Sequence, residues 1–214
     1  MPTVTTSDEA RMRAALHEAF ERDLALLAAA VARQGGTEAR TRNRWARFAY
    51  FLLIHQRADR NHQWPVLRAK AGRADLALLG VIAEERRRLA TLVDAVDATA
   101  RRPASPDRAW RALSNLMIAL TRHHRHETRL AEATAELFTR AERVALYWER
   151  RRLAGLREAA SFYPWLLDGA PAAVRGSVLR HLPPTDRLLY HALWRPRYAR
   201  TRAVDHVPES RILT

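Results

Sequence analysis

The chain has no cysteine, which excludes disulfide frameworks, zinc–thiolate sites, iron–sulfur clusters and thiol nucleophiles. It has only 7 glycines in 214 residues, and none of them builds a phosphate-cradling loop. No apolar run approaches the roughly 20 residues of a membrane-spanning helix. The polar opening segment, residues 1–11, does not read as a secretory leader, so the expectation is a cytoplasmic protein with no membrane partner. Lysine is nearly missing as well. Lys70 stands alone among 37 basic residues, so the net charge of +14 is carried by arginine. Such a charge permits nucleic-acid binding. No recognised motif accompanies it, however, and arginines throughout Ala- and Leu-rich segments read as solvated helix faces, so a nucleic-acid partner is not expected.

What the chain does have is helix-forming sequence. Long Ala/Leu/Arg/Glu segments dominate, and no alternating Val/Ile/Thr stretch is present, which predicts an all-α fold. Acids at Asp8 and Glu9 open a first helix, and Gly35-Gly36 close it. A second helix is expected over 38–64, where Pro65 ends or kinks it, and a third over 74–100 beyond Gly72. Ser105-Pro106-Asp107 supplies a capping hydroxyl, a proline at the first helical position and an acid, a good start for a fourth helix. No strong breaker follows before Gly155, so that helix is long or is followed directly by a fifth. Four long helices joined by short breaks predict an antiparallel up-down-up-down four-helix bundle over 1–160. Residues 161–214 are punctuated by Pro164, Pro171, Pro183, Pro184 and Pro196, with short amphipathic pieces at 172–182 and 185–194. This segment reads as a helical extension whose aromatics Phe162, Tyr163, Trp165, Tyr190, Trp194 and Tyr198 pack on the bundle.

Each predicted helix carries a polar interruption on its apolar stripe. The first has Phe20, Leu24, Leu27 and Val31, with His17 one turn earlier; the second has Phe48 and Leu52, then His55, Asp59 and His62. The third has Leu79, Ile82, Leu89 and Val93 around Arg86, and the fourth has Leu113, Leu116 and Leu120, then His123 and Glu127, then Leu130 and Leu137. A buried imidazole or charge is costly unless paired or metal-bound, so these groups are expected to converge at one level. Three His residues are followed four positions later by an acid, His17/Glu21, His55/Asp59 and His123/Glu127. Chance gives about one such pair in a chain of this composition; a lone pair would be an ordinary exposed helix contact.

These residues resemble the ligand pattern of hemerythrin-like proteins. Phe51-Leu-Leu-Ile-His-Gln-Arg-Ala-Asp59, leading to Trp64-Pro65, is similar to the family's second helix, and Leu120-Thr-Arg-His-His-Arg-His-Glu127 to its fourth. His17 stands where the family has its first-helix histidine. Pro164-Trp-Leu-Leu-Asp-Gly169 and Leu189-Tyr-His-Ala-Leu-Trp-Arg-Pro-Arg-Tyr198 resemble the C-terminal extension of actinobacterial members, so the similarity spans nearly the whole chain. It implies a non-haem, His-rich, carboxylate-bridged di-iron site inside the bundle that handles oxygen or related oxidants. Two departures stand out. The family's helix-two acid is usually Glu and is here Asp59, one methylene shorter. Its helix-three histidine is replaced in Glu84-Glu85-Arg86, and arginine, always protonated, cannot ligate a metal.

Two readings follow. In the first, His17, His55, Asp59, His123 and Glu127 hold one or two iron ions, with His62 as a recruit. The protein then acts on dioxygen, peroxide or an oxidisable small molecule, as an oxidase or oxygenase. In the second, the metal is gone and Arg86 pairs with Asp59 or Glu127, leaving a His/Arg/carboxylate cavity that binds or converts a small organic ligand by acid–base chemistry.

Overall fold

The computed structural model describes residues 6–34, 39–101, 105–180 and 182–206, and these contain helices and turns with no strand. Helix α1 spans Thr6–Gln34; the closing glycines Gly35 and Gly36 and the expected start of the second helix at 38 lie outside the described residues. Helix α2 covers Ala39–Ala58, α3 Trp64–Lys70, α4 Arg73–Arg101 and α5 Pro106–Ala133. Ser105 caps α5 as its sequence demands: the side chain accepts the Arg108 backbone N–H, and Pro106 takes a first-turn position where no N–H is needed. Beyond a short 3-10 turn at Ala135–Leu137, α6 runs over Arg140–Leu166. It starts from a capping box in which Thr139 and Glu142 satisfy each other's backbone N–H groups. Gly155 breaks α6 internally at φ +71°, a conformation that favours a residue without Cβ.

Pro65 neither ends nor simply kinks the second helix. The backbone widens into a π turn at Asp59–Gln63, in which the Trp64 N–H reaches back to the Asp59 carbonyl, and then continues as α3 with Pro65 in its first turn. A proline ring clashes with the carbonyl four residues earlier, and widening the preceding turn accommodates it. The same arrangement recurs near the C-terminus. Helix α7 covers Ala172–Arg180 and α8 Pro184–Leu189; a π turn at Tyr190–Trp194 then leads into α9, Arg195–His206, where Pro196 again stands two residues past the π turn. Pro196 therefore does not close the last helical piece, contrary to expectation.

Packing follows the apolar stripes. Helix α5 lies against both α4 and α1, α1 also contacts α2, and α2 touches α4 and α6. Two apolar clusters result. One gathers Phe20, Leu24, Phe48, Leu52, Leu89 and Leu120; the other gathers Trp64, Leu67, Leu79, Ile82, Leu130 and Phe138. Along α4, Arg86 falls between Ile82 of one cluster and Leu89 of the other. Along α5, His123 and Glu127 fall between Leu120 and Leu130. A polar layer thus separates two apolar ones. The C-terminal aromatics join the first cluster: Trp165 packs tilted against Phe51 and edge-to-face against Phe20, with centroids 4.7 and 5.2 Å away, and Tyr163 stacks on Trp194. The Trp165 Nε1 donates to Asp23 Oδ2 at 2.7 Å, and Arg22 donates to the Trp165 and Asp168 carbonyls, so this segment is tied to α1 by polar bonds as well as by apolar area. Among the described residues, no helix is long and apolar enough to cross a membrane.

Candidate metal centre

The polar layer brings together His17, His55, Asp59, Arg86, His123 and Glu127, all buried. Glu127, from α5, is its centre, and its two oxygens face different company. Oε2 lies 3.2 Å from His17 Nε2 and 3.2 Å from His55 Nε2. Oε1 accepts from an Arg86 terminal nitrogen at 2.6 Å and lies 3.0 Å from His123 Nε2. The same Arg86 nitrogen donates to Asp59 Oδ2 at 2.8 Å, and the other donates to the Gln56 carbonyl at 3.0 Å. The Trp64 ring covers the guanidinium at 4.8 Å. Asp59, at the first position of the π turn, also lies 3.7 Å from His55 Nε2. A π turn at such a position is a frequent feature of functional sites.

Electrostatics sorts these groups into two halves. Burial pushes the His17 imidazole down to about 3, outweighing its bond to Glu127, so it is neutral near pH 7 with a lone pair to offer. On the other side, burial alone would lower His123, but the Glu127 charge prevails and holds its pKa above the usual value. For Arg86, burial is likewise outweighed by Glu127 and Asp59, which keep the guanidinium charged. Burial would raise Glu127, yet His55, His123 and Arg86 together hold it well below the normal carboxylate range. Glu127 is therefore an ionised acceptor shared between two imidazoles, neutral His17 among them, on one oxygen and a permanent cation on the other.

His17, His55 and Glu127 form a buried group that could hold a metal ion, with one ligand atom from each lying within 4.8 Å of the others. Asp59 sits beside this group but pairs with Arg86, and His123 meets the Glu127 oxygen that Arg86 also holds. His62 is not brought to it. Its ring points to Glu149 Oε2 at 3.5 Å with 37% of the side chain exposed, because the π turn adds a residue to the helical register and carries the inward position from 62 to 63. Gln63 is the buried residue instead.

Three contributors were not foreseen from sequence. His124 stacks on His17 with centroids 3.9 Å apart and rings 3° from parallel, and its Nδ1 meets Glu21 Oε1 at 3.2 Å. Glu21 was expected to serve its own helix neighbour His17. Burial lowers the His124 pKa, so a second neutral ring backs the first. Glu85 spans His123 Nδ1 at 3.3 Å and His126 Nδ1 at 3.0 Å, with Arg122 Nε at 3.0 Å, and so links the inner imidazole to a half-buried outer one. The available signal was the width of the α5 stripe: position 124 lies four residues after Leu120 and three before Glu127, on the edge that a broad stripe turns toward α1. Searches against protein-family models, curated proteins and solved structures find no match for this chain.

Proposed function

We propose that this chain is a hemerythrin-like protein holding one non-haem metal ion, iron by the resemblance, between His17, His55 and Glu127. On this reading Arg86 supplies permanent positive charge where the family's second ion would lie. The observation that carries it is the division of Glu127: one oxygen meets two imidazole nitrogens at 3.2 Å, while the other meets a guanidinium at 2.6 Å. The donor set fits an ion. Ligands held about 2.1 Å from a metal and separated by 90–110° lie roughly 3.0–3.4 Å from one another, the spacing both imidazoles keep from Glu127. The packing supports an antiparallel four-helix bundle of α1, α2, α4 and α5: residue numbers rise from the second apolar cluster to the first along α4 and from the first to the second along α5.

Two imidazoles and one carboxylate leave positions open at a bound ion, which would supply Lewis-acid or redox chemistry toward dioxygen, peroxide or an oxidisable small molecule. The chain's own groups set the conditions for this. Arg86 neutralises Asp59 and keeps Glu127 ionised. Neutral His17 presents its lone pair, and the His124 ring fixes the plane of His17. The test is anaerobic ferrous loading of the purified chain, followed by metal counting. The expected result is one iron per chain, lost in His17→Ala and His55→Ala and raised toward two in Arg86→His. Wild type that takes up no iron, or histidine variants that keep it, would overturn the reading.

The second reading, a metal-free cavity that binds or converts a small organic ligand, is favoured by the direct pairs from Arg86 to Asp59 and Glu127, since they neutralise much of the site without an ion. The same loading experiment separates the two readings.

A further inference from the structure

Directly beside the polar layer lies a cleft of about 580 Å³, within the range of small-molecule sites. Its lining is organised around the proposed centre. Arg13, Gln63 and Ala131 all border it, and they stand four positions along the chain from His17, Asp59 and Glu127 respectively. One helical turn is about 5.4 Å of rise, so the cleft sits one turn from the site on three separate helical segments at once. Its walls are largely apolar, from Ala10, Ala14, Ala131 and Phe138.

One buried cation faces this space. Arg13 is 4% exposed, and its pairing is thin: a terminal nitrogen lies 3.5 Å from Gln63 Oε1 and 3.8 Å from Glu9 Oε1, both at the outer limit of contact. Its Nε has no hydrogen-bond partner. A guanidinium taken out of water is costly unless a close anion compensates it, and Arg86, one layer further in, shows what full compensation looks like at 2.6 and 2.8 Å. Arg13 thus stands incompletely paired at the edge of an apolar cleft that lies one helical turn from the centre.

We propose that this cleft is the substrate site and that it takes an organic monocarboxylate with an apolar body, its carboxylate bound by the Arg13 guanidinium beside the Gln63 amide. The planar guanidinium matches a carboxylate. Of the two arginines that line the cleft Arg11 is exposed and Arg13 buried, and Glu9 and Glu132 in the same lining offset their charge, which disfavours a phosphate dianion. With the carboxylate at Arg13, the ligand atoms next to it are held nearest His17, while the body lies along the alanines and Phe138. The binding itself does not depend on the metal; what happens to the ligand rests on the metal-centre reading.

The test uses the full chain, iron-loaded and metal-free, with 3-phenylpropionate and its uncharged analogue 3-phenyl-1-propanol as calorimetric probes. Wild type should bind the acid at least tenfold more tightly than the alcohol. Arg13→Gln should reduce that preference to within about twofold while its metal content stays at the wild-type level. Should Arg13→Gln fail to fold, Ala131→Phe, which fills the cleft from the half-buried face of α5, should abolish binding of both probes. Equal affinities in wild type, no binding of the acid, or a preference or binding that survives these substitutions would overturn the proposal. Acid binding with no metal uptake would overturn the metal-centre reading and leave the cleft assignment standing. Metal uptake with no acid preference would do the reverse.

Discussion

Replacing Arg86 by alanine probes the centre most directly. The side chain donates to Asp59 at 2.8 Å, to Glu127 at 2.6 Å and to the Gln56 carbonyl at 3.0 Å, and both carboxylates are buried. Removing one member of a buried ion pair strands the other, at a cost of about 3–5 kcal/mol. Here two carboxylates and a carbonyl are stranded together, and contact with the Trp64 ring goes too, so the upper part of that range applies to the metal-free protein. For a chain of this size the midpoint of thermal unfolding should fall by roughly 8–20 °C. The pH dependence carries a sign. In wild type the Glu127 pKa is depressed, so its contribution is present above the unfolded carboxylate pKa and is lost as pH falls through the folded value. Without Arg86 the desolvation of Glu127 is less fully opposed and its folded pKa rises, so the penalty is greatest near neutral pH and eases on acidification. Urea unfolding at pH 7.5 and pH 5 should therefore show the gap between wild type and Arg86→Ala narrowing at the lower pH. Asp59→Asn should destabilise wild type yet restore part of the loss in the Arg86→Ala background, as a double-mutant cycle would register. A loss below about 1 kcal/mol, with no rescue by Asp59→Asn, would refute the assignment of Arg86 as the buried counter-charge.

Two further predictions concern groups on either side of the centre. Because the folded His17 pKa is lowered to about 3, the unfolded chain takes up a proton there that the metal-free native state refuses; stability falls as pH drops below about 6.5. His17→Gln should make that acid limb shallower by up to about 1.4 kcal/mol per pH unit, read by urea unfolding between pH 4.5 and 7, and an unchanged slope would contradict a neutral His17. Trp165→Phe keeps the aromatic packing but deprives buried Asp23 of its 2.7 Å donor, which should cost about 1–3 kcal/mol in urea unfolding; a neutral result would mean that Arg47, 4.0 Å away, suffices as the partner of Asp23.

Helix content and the convergence of six polar residues were legible because both are written locally. Spacing of three and four along α1, α2, α4 and α5 is a direct record of which face turns inward, and a charged residue on such a face must find partners. What spacing could not carry was a change of helical register. His62 follows the stripe of His55 and Asp59 only if the helix keeps its regular turn; the π turn that accommodates Pro65 puts Gln63 inward instead. The helix that continues past Pro196 escaped notice for the same reason. His124 was missed differently. Next to His123, it looks like the outward neighbour of an inward residue, and only the close approach of α1, which sets His17 against it at 3.9 Å, makes both positions interior. The Thr139/Glu142 capping box, by contrast, was present in the residues as a Thr three positions before a Glu, and it marks the start of α6 between the expected breakers.

The way Glu127 is shared also bears on how many ions the centre would hold. Its Oε1 side already carries cationic partners: a guanidinium whose charge is reinforced by two carboxylates, and an imidazole whose proton affinity is raised. An ion placed there would have to displace Arg86 from Asp59 and Glu127 and leave a guanidinium buried beside like charge, a cost of the same order as breaking the buried pairs. The Oε2 side is the opposite. It offers imidazole nitrogens from His17 and His55, His17 carries no positive charge near neutral pH, and the neutral ring of His124 lies behind it. A cation is therefore attracted to the half that lacks one and excluded from the half that has one. On the proposed hemerythrin-like reading, an arginine at position 86 thus argues for a stoichiometry of one rather than for an empty site, and an aspartate at position 59 in place of a glutamate becomes intelligible. A shorter acid at the start of a π turn meets the guanidinium at 2.8 Å and, on that reading, would have no second ion to span.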